Sequence, residues 1–203
     1  MYCILVTGIP AAGKSTTAEA LSEYFRLPVI SKDKIKEYMY DGIGFRSREE
    51  KVKLGIASMD IMYYMAEQLM KNGQPFILEN NFEKIAREPL LKLLEKYSYT
   101  AITVVLTGDY SVIYQRFTER NSSPDRHRGH VVNDCYPEKN ADRAVVPIPY
   151  EAFVKGITER GMDSFTGNGP RIVVDTTDFS KMELELLIKR IEDCLKNIQR
   201  IQS

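Results

Sequence analysis

The chain has 203 residues, 43% of them hydrophobic, which suits one domain with a substantial core, or one domain carrying an insertion. Lys plus Arg and Asp plus Glu both total 28, so the formal net charge is zero. That balance argues against a nucleic-acid binder, which needs clustered excess positive charge, and leaves room only for a local basic pocket. Cys3, Cys135 and Cys194 are far apart and odd in number, so they read as reduced thiols of a cytoplasmic protein. No stretch approaches the ~20 apolar residues of a membrane span. The opening MYCILVTGIP has no basic residue and too short an apolar run for a signal peptide.

Short apolar runs alternate with helical stretches. Tyr2 to Thr7 reads as a strand covered on both faces, and Gly13 to Phe25 as a helix. Leu27 to Ser31 is a short strand, with a charged helical turn from about Asp33. Arg48 to Lys71 is a long helix whose inward stripe is expected at Val52, Ile56, Met59, Tyr63, Ala66 and Met70. Asn72-Gly73 ends it, and Pro75 opens a strand through Leu78. Ile85 to Tyr97 is helical, Ala101 to Leu106 is the strongest strand, and Tyr110 to Arg120 is helical. Arg171 to Val174 is the last strand. A closing helix over about Lys181 to Gln199 has its stripe at Leu184, Ile188, Ile191, Leu195 and Ile198. Strands alternating with helices predict an α/β protein with a parallel sheet. The polar segment from Asn121 to Pro149 breaks the rhythm and is expected to be a lid-like insertion in a single domain over 1–203.

Gly8-Ile9-Pro10-Ala11-Ala12-Gly13-Lys14-Ser15 matches GxxxxGK[ST] in full, between a predicted strand and a predicted helix. Its glycines let several N–H groups turn toward one anion, and the helix start adds partial positive charge. Lys14 can reach the β- and γ-phosphates, and the Ser15 hydroxyl can serve Mg²⁺. A guanine-reading Asn-Lys-x-Asp and a transporter Leu-Ser-Gly-Gly signature are both absent from the sequence, which favours a small kinase.

The pieces GIPAAGKST, SKDKIKE, FILENNF, YQRFTERNSSPDRHRGH and VVDTT occur in that order. With them the chain resembles the small P-loop kinases of the nucleoside-monophosphate-kinase-like group. Within that group it is similar to the branch near zeta-toxin-type, chloramphenicol-phosphotransferase-type and polynucleotide-kinase-type enzymes. The resemblance implies a three-layer P-loop NTPase fold with strand order 2-3-1-4-5, ATP as donor, and a mobile lid. It implies a nucleotide site over Gly8, Ala11, Ala12, Gly13, Lys14, Ser15 and Thr16, joined by Arg116, Arg120 and Thr176. Asp33 then prepares the acceptor hydroxyl, although its position also suits a helix cap. Glu79 stands where the polynucleotide-kinase-type relatives usually carry Asp, and can act on metal or acceptor. Asn81 and Phe82 are expected to shape the acceptor pocket. Arg120 and one of Arg126 or Arg128 are expected to steady the transferred phosphate. His127, His130 and Cys135 lack a clear fourth partner for zinc. The expected partner is a small hydroxylated molecule. The alternatives are an oligonucleotide 5′ end, or no acceptor at all in a nucleotide-binding switch.

Overall fold

The computed structural model describes residues 1–138 and 145–202, with side chains through residue 200; residues 139–144 of the expected lid lie outside the described residues. Five parallel strands form the sheet: β1 (Tyr2–Gly8), β2 (Val29–Ser31), β3 (Phe76–Glu79), β4 (Thr100–Thr107) and β5 (Arg171–Asp175), in the order β2-β3-β1-β4-β5. The fold is therefore the P-loop α/β fold. The helices are α1 (Lys14–Phe25), α2 (Lys32–Ile43), α3 (Arg48–Lys71), α4 (Lys84–Lys96), α5 (Tyr110–Ser122), α6 (Arg128–Val131), α7 (Tyr150–Arg160) and α8 (Leu184–Gln202).

Successive residues of β1 feed opposite layers, as strand geometry requires. Ile4 and Val6 pack with Leu21, Ile113, Phe153 and Ile191 on one face of the sheet. Cys3 and Leu5 pack with Met62, Ala66, Leu90 and Leu94 on the other. A strand buried on both faces must be apolar throughout, which is why β1 reads as a continuous run.

Three features differ from the sequence pattern. On α3, Val52 and Ile56 are exposed, and the buried line runs through Ser58, Met62, Ala66 and Met70. Spacings of three and four fit two adjacent stripes, and only the packing against α4 and the sheet chooses between them. The second is α7, which has no counterpart among the predicted elements. Phe153 and Ile157 are its only buried residues, too few for a periodic signal. The third is the described part of the segment after Arg120, which is folded: α5 continues to Ser122, α6 follows, and Phe45 pairs with Tyr136 through two backbone hydrogen bonds of 2.8 Å. A small separate core of Tyr40, Phe45 and Val132 joins it to α2. Among the described residues no helix is long and apolar enough to cross a membrane.

Candidate active site

The carboxyl ends of β1, β2 and β3 open into a cleft of about 920 Å³. In a parallel sheet this is where ligands gather. The Gly8–Ser15 turn forms its floor. Gly8, Ala11 and Gly13 have φ of 131°, 64° and 84°. A Cβ on Gly8 would lie 1.9 Å from the Leu106 carbonyl oxygen, and one on Gly13 would lie 2.7 Å from the Phe179 ring. Both positions thus need glycine for conformation and for space. The turn runs into α1, whose N-cap Gly13 brings no side chain to its first amides. Gly13, Lys14, Ser15, Thr16 and Ala11 line the cleft. Ala12 is buried in the core instead.

Lys14 folds back over this floor, its Nζ donating to the Ile9 carbonyl at 2.9 Å. Burial pushes its pKa down to about 8, against the opposing pull of Glu79 and Asp33. Glu79 sits at the end of β3 in register with Ser31, whose hydroxyl donates to it at 2.5 Å. Burial raises the Glu79 carboxyl above its usual range, and Lys14 and the Ser31 bond offset part of the rise.

Asp33 lies in the first turn of α2. It is not the cap: Ser31 holds that position and accepts from the Lys34 amide. The cleft walls surround Asp33, yet its own surface stays open to the cleft. Burial would raise its pKa, but His130, Lys36, Lys14 and Arg126 outweigh it and hold the carboxyl below its usual range. Burial pushes His130 down to about 4, so at neutral pH the standing cations that act on Asp33 include Lys14, Lys36, Arg120 and Arg126. Asp33 has no hydrogen-bond or ion-pair partner among the described residues.

Arg120 and Arg126 reach the cleft from the end of α5 and the loop after it. The Nε of each is buried without a hydrogen-bond partner among the described residues. Burial, with Arg126 alongside, pushes Arg120 down to about 10. Arg116 is held differently. It donates to the Thr176 and Thr177 carbonyls, and its guanidinium carbon lies over the Phe179 ring, 4.1 Å from the ring centre. The pair forms a shelf next to Gly13.

Besides Ala12, four expected site residues lie elsewhere. The Arg128 guanidinium makes a double hydrogen bond to Glu138, at 2.7 and 2.8 Å, and does not line the cleft. Phe82 is fully buried with φ 47° and stacks on Phe165, so it belongs to the core and not to an acceptor pocket. Asn81 uses its carbonyl to accept from Thr7 at 2.8 Å and is not part of the cleft wall. Thr176 is buried, its hydroxyl and its amide both donating to the Thr107 carbonyl, at 3.0 and 2.7 Å, and it does not line the cleft.

The structure adds Phe179, Glu37 and Lys51, which the sequence did not single out, and gives His127 and His130 their partners. Phe179 has no motif around it. Glu37, His127 and His130 tie the α6 segment to α2: His130 bonds Glu37 at 3.0 Å, and His127 bonds Asp41 at 3.0 Å. His127 Nδ1 accepts from the Gly129 amide, so its proton is on Nε2. Lys51, buried at the start of α3, donates to the His130 and Val132 carbonyls and to Asn133 Oδ1. Among the described residues no cluster of three or more His, Cys, Asp or Glu can hold a metal.

A family model described as an AAA domain matches residues 3–134, about two thirds of the chain. No curated protein matches the sequence. Among solved structures, a candidate kinase from Chloroflexus aurantiacus is 28% identical, with a TM-score of 0.78 over 95% of this chain and 97% of that one. A gluconokinase from Sinorhizobium meliloti is 15% identical, with a TM-score of 0.53 over 100% of this chain and 97% of its own. A shikimate kinase from Bacteroides thetaiotaomicron is 13% identical, with a TM-score of 0.54 over 96% and 98%. The last two are alike in fold alone.

Proposed function

The chain belongs to the AAA domain family, and from that premise we propose that it is an ATP-dependent kinase that phosphorylates a hydroxyl of a small molecule. The observation that carries the reading is Asp33: an ionised carboxylate without a partner among the described residues, in the same cleft as the phosphate-binding turn. A nucleotide switch has no use for such a group. A kinase uses it to accept the proton of the attacking hydroxyl.

The remaining residues divide by role. The amides of Gly13 to Thr16 and the Lys14 ammonium bind the phosphates, and the Arg116–Phe179 shelf takes the adenine. The open Ser15 hydroxyl fits Mg²⁺, which when bound neutralises charge on the phosphate oxygens. Glu79 is aimed into the same space. Transfer forms a bond from the acceptor oxygen to the γ-phosphorus and breaks the bond from that phosphorus to its bridging oxygen. ADP departs with the electron pair, and the hydroxyl proton passes to Asp33. Arg120 and Arg126, whose Nε atoms have no protein partner among the described residues, steady the oxygens of the group in flight. Arg128 has no place in this scheme. The reduced cysteines, with Cys3 wholly buried, suit a cytoplasmic setting.

The test is acceptor-dependent ADP release. Asp33→Asn is expected to leave the ATP dissociation constant unchanged and to slow transfer about 10²-fold or more. Wild-type transfer by that variant would remove Asp33 from the mechanism.

A further inference from the structure

Lys51, in the first turn of α3, is only 4% exposed. Its ammonium has three N–H groups, and three oxygens accept from it: the His130 carbonyl at 3.0 Å, the Val132 carbonyl, and Asn133 Oδ1 at 3.2 Å. The ammonium also lies 5.6 Å from the centre of the Phe45 ring. All three oxygens belong to the segment that follows α5, 79 to 82 positions away. Phe45 in turn pairs with Tyr136 of the same segment. One side chain therefore touches both stretches by which this segment rests on α2 and α3.

A charged group is a poor filler for a buried position. Burial, and after it the charges of Lys36, Arg48 and Arg126, push the Lys51 pKa down to about 7. A Met there would bury a chain of similar length without desolvating an ammonium. What the ammonium provides instead is a directed hold on three oxygens at once. The other ties across this junction are more exposed or shared. Asp41 bonds both Tyr136 and His127, but its side chain is 58% exposed. Arg48 reaches Asn133 at the surface. Glu37 divides its carboxylate between Lys34 and His130. Exposed pairs contribute little to holding two elements together.

The held segment brings chemistry with it. Arg126 and His127 precede α6 and line the cleft together with Lys14 and Asp33, whereas Lys51 does not line it. Among the described residues no hydrogen bond anchors the Arg126 Nε, so the backbone beneath it has to be held. Two hydrogen bonds lead from Lys51 to that backbone. The ammonium donates to the His130 carbonyl, and the His130 amide donates at 3.0 Å to the carbonyl of His127, next to Arg126. We propose that Lys51 is a positioning residue for phosphoryl transfer: from outside the cleft it latches the segment after α5 onto α3 and so keeps the Arg126 guanidinium on the group in flight. The proposal rests on the kinase reading and adds to it a residue that touches neither substrate. Its effect on the reaction comes through placement alone, and misplacing a positioned group by about 1 Å can slow a reaction about 10²-fold.

ADP, Mg²⁺ and fluoroaluminate together imitate the phosphoryl group in flight and require no acceptor. Calorimetry at pH 6, where the Lys51 amine is mostly charged, reads how much more tightly the protein binds ADP with fluoroaluminate than without it. In Lys51→Met that gain is expected to fall about tenfold, with affinity for ADP alone as in wild type. In an Arg126→Ala background Lys51→Met is expected to cause no further loss, because a residue that acts through Arg126 then has nothing to place. An unchanged gain in Lys51→Met, or losses that add in the double variant, overturns the proposal. Hydrogen exchange is a readout that involves no nucleotide. The amides of residues 126–133 are expected to exchange about tenfold faster in Lys51→Met, and those of α1 at the wild-type rate. Wild-type exchange in the segment overturns the proposal. If Lys51→Met does not fold, Asn133→Ala removes one of the three oxygens at an exposed site. It is expected to move both readouts in the same direction by about threefold, and no movement overturns the proposal. A wild-type protein without any fluoroaluminate gain strikes the kinase reading instead, and the exchange rates still decide whether Lys51 holds the segment.

Discussion

The two halves of the cleft are built in different ways. The donor half is mainly backbone: a turn with three residues at positive φ, the first amides of α1, and one lysine folded onto a carbonyl five residues back. The half that the kinase reading gives to the acceptor is mainly side chains, among them Asp33 and Glu37 from α2 and Arg126 and His127 from the segment before α6, and bonds spanning 79 to 95 residues of sequence tie that segment to α2 and α3. A backbone site is specified by a contiguous string and recognises what every nucleotide triphosphate shares. A side-chain site is specified by packing, and its charges can be rearranged without disturbing the donor half. The contrast explains why the phosphate-binding half is readable at once while the other half is not.

The largest expected effect lies in the donor half. Lys14→Ala is expected to lower turnover about 10²- to 10³-fold, the scale of removing one preorganised donor from a developing charge. Titration calorimetry with ATP and ADP-release assays check it, and unchanged values would show that the turn does not bind triphosphate.

A change confined to the acceptor half is expected to spare ATP. A Cβ on Gly129 would lie 2.3 Å from Tyr40 Cδ2, in the ring of a fully buried side chain. Gly129→Val is therefore expected to destabilise the protein by about 1–3 kcal/mol through overpacking and to lift the α6 segment from α2. Acceptor turnover falls with it, while ATP affinity does not. Urea midpoints beside ATP titrations test this. A parallel loss of ATP affinity would mean that the halves are not separable.

The smallest effect is a proton count. Burial lowers Lys14 to about 8 in the free protein, so above that pH the amine is largely neutral. Triphosphate favours the charged form and raises that pKa, so binding above pH 8 takes up a fraction of a proton. Affinity falls correspondingly as pH rises through 8. Calorimetry at pH 9 in two buffers of different ionisation heat reads the uptake directly. None at pH 9 would place Lys14 away from the phosphates.

Much of the scaffold could be read residue by residue. The GxxxxGKS string, the doubly buried β1 and the alternation of strand and helix each depend on neighbours in sequence. The site was less legible. Arg116, Arg120 and Arg126 were picked out as one charged group with Arg128, but four arginines within 13 positions point in several directions once α5 ends. Glu138 takes Arg128, the carbonyls after β5 take Arg116, and only Arg120 and Arg126 keep a buried Nε without a partner among the described residues. Phe82 looked like a pocket residue because it follows Glu79-Asn80-Asn81. Its positive φ turns the chain there, and its ring stacks on Phe165, 83 positions away.

The residues alone decide the phosphate-binding turn, because backbone conformation at glycine and the start of a helix are local physics. They also decide the α/β class, because strand and helix periods are written into adjacent positions. Only the tertiary structure decides which stripe of α3 faces inward and which arginines share the cleft with Asp33. Those outcomes depend on which distant groups pair first, and pairing energies between distant groups leave no periodic mark in a sequence.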